Sequence, residues 1–189
     1  MTDATAHHAS VRPLSDNDRR MYRGGIWLII LAETMIFITL FSTRFLLAGP
    51  GGPVEAGDPI GWGISVARVI SLIPAWLALR AINGDDAAAM SRNLAITVLF
   101  AVGVLIAIFY DWSTLPFSAG SRFGENYVIA SGYHFAHIVI AVIWLFAAAV
   151  AGGRGAYTSD NHWVVEGGVY FWTFVVAMWI ALYLVFFVL

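Results

Sequence analysis

An all-α integral membrane bundle of five transmembrane helices is the fold predicted by this sequence, from three observations. Of the 189 residues, 60% are hydrophobic and 12% charged, whereas soluble domains carry about a quarter charged residues. The apolar residues gather into five long runs, each sufficient to cross a hydrocarbon core of about 30 Å. The connections between them run to about 15 residues at most, too short to house a soluble domain. The same composition narrows function. A net charge of −2 gives no ground for a nucleic-acid partner. The absence of cysteine excludes disulfides, thiolate metal ligands and covalent attachment of a c-type haem.

Residues 1–23 read as a polar cytoplasmic tail with His7 and His8 in solvent and a short interfacial helix after Ser15. The apolar run that follows is too long for a cleaved signal peptide, so none is expected. Residues 24–189 form a single membrane domain. Its first span, 25–47, carries Glu33 roughly 12 Å deep at about 1.5 Å per residue, with Arg44 near the far end, where it can snorkel to headgroups. A Gly- and Pro-rich acidic loop with Glu55 and Asp58 follows. The second span, 60–82, contains Arg68 and a bend-inducing Pro74. The third, 94–115, ends in Tyr110-Asp111-Trp112, an acid between two interfacial rings. Phe117, Phe123 and Tyr127 are expected in the headgroup region. The fourth and fifth spans are 127–151 and 167–189.

Arginines set the orientation. Arg12, Arg19, Arg20, Arg23, Arg80, Arg92 and Arg154 fall on one side, against Arg44, Arg68 and Arg122 towards the other. The positive-inside rule then places the N-terminus in the cytoplasm and the C-terminus outside.

Ala130-Ser131-Gly132-Tyr133-His134-Phe135-Ala136-His137 is the stretch richest in chemistry. Its histidines are three apart and share one helix face. Two imidazoles inside a membrane need specific partners, whether ligands or hydrogen bonds that fix helix packing. Glu33, Arg68 and Asp111 are the other ionisable groups in spans. Glu33 can bond a neighbouring helix, and Arg68 can pair with Asp111, since both lie towards the same side. Gly63 and Ala67, Gly103 and Ala107, and Gly132 and Ala136 are spaced as helix-contact positions. Trp62, Trp112 and Trp163 are expected as interface anchors.

The 130–137 stretch resembles the Thr-Gly-x-His-x-x-His signature of subunit III of the haem-copper (cytochrome c) oxidases, with Ser131 in the threonine place. Three further segments carry the same resemblance. Glu166, Trp172, Phe174, Val175 and Trp179 match the closing helix of that family, although Thr173 and Val176 stand where it has His and Asp. Leu31-Ala32-Glu33-Thr34-Met35-Ile36-Phe37 resembles its Ser-Glu-x-Met-x-Phe. Asp111-Trp112 stands where the family ends a helix in Glu-Tyr or Glu-Trp. The resemblance reaches over about 26–189 and fits the short five-helix form, which lacks the first two spans of the long form.

The resemblance implies a non-catalytic accessory subunit of a haem-copper terminal oxidase in a prokaryotic plasma (inner) membrane. It would bind phospholipid and support proton uptake and stability of the catalytic subunit. The implied partners are catalytic subunit I, the copper-bearing subunit II and membrane lipids. A subunit III-like protein of a nitric oxide reductase and a stand-alone small transporter are the alternatives. No intrinsic catalysis, catalytic residue or metal site is expected. Haem and copper centres need histidines from several helices, and His134 and His137 lie on one. Haem and copper are therefore expected only in partner subunits. Glu33, His134, His137, Arg68, Asp111, Glu166 and Trp172 are the candidate proton, lipid or packing residues, and Arg44, Arg68 and Arg122 are candidate phosphate ligands.

Overall fold

Side-chain caps start the helices earlier than the apolar runs begin. The computed structural model describes residues 12–48, 59–115 and 117–188. His7, His8, Glu55 and Asp58 lie outside the described residues. Ser15 Oγ accepts from the Asp18 N–H at 3.2 Å while its hydroxyl donates to Asp18 Oδ2 at 2.7 Å. This reciprocal cap opens α1, Asp16–Ala48. The short helix expected after Ser15 and the first span are thus one continuous helix. Helix α2 is Pro59–Asn83 and continues through Pro74. Asp86 Oδ1 accepts from the Ala89 N–H at 2.8 Å and opens α3, Ala87–Ser113. Ser121 Oγ accepts from the Gly124 N–H at 3.0 Å and opens α4, Arg122–Gly153. Helix α5, Trp163–Tyr183, closes in a π-helical turn, Leu184–Val188. All five helices are long and apolar enough to cross a membrane.

Helices α2, α3 and α4 pack in sequence, and α5 lies against both α2 and α4. Helix α1 rests on α4 and α5 rather than on α2. The core therefore centres on α5, whose Trp172 and Trp179 are fully buried. Much of α1 faces outward through Trp27, Leu28, Leu31, Met35 and Leu46.

Two expectations about packing are corrected. A Cβ at Gly63, Gly103 or Gly132 would meet nothing within 4 Å. Gly63, Ala67, Gly103 and Ala107 instead line an outward-opening groove of about 390 Å³ between α2 and α3. The close approaches lie at Gly124, where a Cβ would run into the Ser118 carbonyl oxygen, and at Gly152, packed on Met90 and Ser91. Phe117, Phe123 and Tyr127 turn into the bundle rather than towards headgroups. Their rings meet edge to face at 4.9 and 5.5 Å, and Phe186 of the π-helical turn closes on Phe123 and Tyr127.

On the N-terminal side, the first turns of α1 clamp the α4–α5 connection. Tyr22 stacks on Trp163 at 4.3 Å, and Arg19 Nη2 donates to the Asp160 carbonyl at 3.2 Å. The α2–α3 turn joins this assembly through Asp85, a non-glycine residue with φ of 58°. Its carboxylate accepts from the Ser159 N–H at 2.6 Å and the Ser159 hydroxyl at 2.8 Å. These bonds, the backbone one foremost, hold the Asp85 carboxyl below its ordinary value.

Two predictions follow from this packing. Gly124→Ala should lower stability by about 1–3 kcal/mol, because the obstructing atom is backbone. Gly132→Ala, facing open space, should be neutral or stabilising by up to about 1 kcal/mol. Thermal melts in one detergent compare the two directly. Asp85 carries the pH dependence of the connection. A carboxyl whose folded pKa is depressed contributes fully above its unfolded value of about 3.9, and the contribution is lost as pH falls through the folded pKa. Hydrogen-exchange protection of the Ser159 amide should thus hold from pH 7 to 5 and collapse at lower pH. Asp85→Ala should remove that protection at every pH, and equal protection of the wild-type amide at pH 7 and pH 2 contradicts the assignment.

Candidate functional site

His134 and His137 leave the same face of α4 but serve different neighbours. His137 turns to α1. Its Nδ1–H donates to the Tyr133 carbonyl at 2.8 Å, and its Nε2 lies 3.2 Å from Glu33 Oε2. The Tyr133 hydroxyl donates to the same oxygen. With Nδ1–H committed to a carbonyl, the Nε2–Oε2 contact is attractive only when one proton lies between the two groups. The Glu33 side chain is 28% exposed and that of His137 is 6%, so this contact sits at the edge of the bundle.

His134 turns to α2 and α5 and is wholly buried. Arg68 Nη1 donates to its Nε2, and the guanidinium carbon lies 4.0 Å from the Trp179 ring centroid. The expected pairing of Arg68 with Asp111 is therefore not what forms. Asp111 accepts from the Tyr127 hydroxyl at 2.7 Å instead, because α4 brings Tyr127 to the end of α3. Phe37 of α1 separates the two histidine systems, with its ring 6.0 Å from His134 and 5.2 Å from His137.

Indole–serine bonds hold α5 against α2. Trp179 Nε1 donates to Ser65 Oγ at 2.9 Å, and Trp172 Nε1 to Ser71 Oγ at 3.0 Å. Each hydroxyl passes its own proton back to a carbonyl of α2, that of Gly61 or Arg68. Glu166 sits apart, at the N-terminal end of α5. It accepts from Arg23 Nε and from the Tyr170 hydroxyl, both at 2.8 Å.

Arg44 and Arg68 are enclosed, at 1% and 0% exposure. Arg44 does not snorkel to headgroups. Its guanidinium lies 4.9 Å from the Phe123 ring centroid, so of the three candidate phosphate ligands, Arg122 alone is exposed. Val176 is buried, while Thr173 donates to the Val169 carbonyl and lines an outward groove with Trp27, Trp76 and Tyr170. Trp62 and Trp163 are exposed, and Trp112 donates to Ser131 Oγ at 3.0 Å. Among the described residues, no group of three or more His, Cys, Asp or Glu is placed to hold a metal ion.

Tyr133, Tyr127, Ser65 and Ser71 are the members of these networks that sequence reasoning missed. Ser65 and Ser71 stand three residues either side of Arg68, a spacing that marks one polar stripe on α2. Tyr133 lies four residues before His137 and shares its face by the same rule.

A family model described as cytochrome c oxidase subunit III matches residues 65–189. The cytochrome c oxidase subunit 3 of Pylaiella littoralis is 25% identical over 176 residues, covering 86% of this chain and 64% of its own. The protein of that name from Marchantia polymorpha is 25% identical over 178 residues, covering 85% and 66%. The one from Spodoptera frugiperda is 27% identical over 108 residues, covering 57% and 74%. The chain spans about two thirds of the length of relatives such as the first two. Since the family model takes in more than half of the sequence, including both histidines and the indole–serine helix, the chain belongs to the cytochrome c oxidase subunit III family.

Proposed function

We propose that this chain is a non-catalytic accessory subunit of a haem-copper terminal oxidase in a prokaryotic plasma membrane, with its N-terminus in the cytoplasm. The observation that carries the reading is the family match over 65–189, which contains the His134/His137 face. The relatives are named as subunits of cytochrome c oxidase, so the implied partners are the catalytic subunit I and subunit II. Haem and copper belong to those partners in this reading, and electron transfer occurs there.

Within that complex, Glu33 is the group suited to assist proton uptake. It shares one proton with His137, is held by Tyr133, and is partly open at the surface of the bundle. Phospholipid is the second expected ligand, with Arg122 as the available phosphate partner.

Copurification tests the reading. The tagged full chain, drawn from native membrane in gentle detergent, should bring haem-bearing subunits with it and an oxygen-reducing activity. Recovery with a nitric oxide reductase assigns it to that enzyme, and recovery alone in folded, monodisperse form overturns the accessory role. Variants of Glu33 test the site. In Glu33→Gln the amide carbonyl can accept from Tyr133 and the amide N–H can donate to His137 Nε2, so assembly and turnover should persist. Glu33→Ala leaves both partners unmet, at about 1–3 kcal/mol for a buried pair and less at this half-open site. It should lower the melting temperature of the complex and shorten its active lifetime while sparing the first turnovers. A Gln variant that assembles but never turns over would make Glu33 an obligatory proton carrier and defeat the proposal.

A further inference from the structure

Arg68 is a fully buried cation in the middle of a membrane-spanning helix. No carboxylate among the described residues is paired with it. Glu33 is engaged with Tyr133 and His137, and Glu166 with Arg23. The indole face of Trp179 attracts the charge but offers no lone pair to the N–H groups at the rim of the guanidinium.

Arginine donates only, so His134 Nε2 must be the acceptor of the Arg68 Nη1 bond. The ring proton of a neutral imidazole then resides on Nδ1. Arg68 Nε, Arg68 Nη2 and His134 Nδ1 are all buried without a hydrogen-bond partner. Two guanidinium donors with their positive charge, and a third donor on another edge of the imidazole, are therefore buried with no protein acceptor. The neighbouring serines are already engaged. Ser65 and Ser71 each accept an indole N–H and donate to their own helix. Buried donors are almost always satisfied in native proteins, by protein or by ordered water, and unsatisfied ones are costliest in hydrocarbon.

We propose that Arg68 and His134 form an internal site for a small, non-protein hydrogen-bond acceptor, a halide ion or an ordered water. A halide would also neutralise the guanidinium. A water would accept from it and relay the bond onward. Either way the α2–α4–α5 junction closes around a ligand rather than around protein atoms alone. The inference rests on the side chains of this chain and does not depend on which enzyme it serves.

The test is a structure of the full chain, in the complex with which it is isolated, from matched chloride and bromide preparations. A density peak is expected about 2.7–3.3 Å from Arg68 Nε or Nη2. An anomalous bromide signal there identifies a halide, and a peak without that signal identifies water. A map that resolves other buried waters but shows nothing at these nitrogens overturns the proposal. So does a protein acceptor closing on Arg68 Nε and Nη2. A halide predicts in addition a melting temperature that climbs roughly 3 °C per tenfold rise in bromide. Gluconate at equal ionic strength should leave it unchanged, and Arg68→Met should abolish the dependence.

Discussion

His134 and His137 project from one face of α4 into a region where no solvent can complete their hydrogen bonds. Every polar group in the hydrocarbon layer must find its partner within the protein or in a bound ligand. The bundle is arranged around that requirement. His137 draws Glu33 and the Tyr133 hydroxyl to one side, and His134 draws Arg68 to the other. Phe37 fills the space between and keeps the two systems apart. Helix α1 thus docks on α4 through the carboxyl group of Glu33, and α2 docks on α4 through the guanidinium of Arg68.

The same constraint explains the position of α5. Its indoles, at Trp172 and Trp179, are large enough to fill the bundle centre and each carries one N–H that must be met. Ser65 and Ser71 meet them from α2, on the stripe that also carries Arg68. Trp179 then serves twice, as donor to Ser65 and as the aromatic wall over Arg68. Shape and the two indole N–H groups are met by the same few side chains, and Arg68 touches both His134 and Trp179, so a change at Arg68 is felt in three helices.

Outside the hydrocarbon layer, different chemistry holds the helix ends together. The α1 entry, the α2–α3 turn and the α4–α5 connection meet through Arg19, Arg23, Asp85, Ser159 and Glu166. Water is available there, so single bonds contribute little each. Their joint effect is to set where α1 begins its course along the bundle. That course leaves α1 covered on one side only, and its outward apolar residues have the character of a surface meeting lipid or another membrane subunit.

The sequence by itself determined the number of helices, their order and the family, because length of apolar run and local motifs need no tertiary information. It also determined that the two histidines share a face, since three residues is close to one helical turn. The tertiary structure alone decided what that face meets. Arg68 had two chemically reasonable partners, and the choice of His134 over Asp111 depends on how α2, α3 and α4 are set against one another. Helix ends were mislocated for a local reason. Asp86 and Ser121 extend α3 and α4 beyond their apolar runs by capping polar turns. The small residues were misread for a deeper one. In a membrane, lipid-facing and buried surfaces are equally apolar, so no periodicity reveals that Gly63 and Gly103 look outward while Gly124 and Gly152 carry the close contacts.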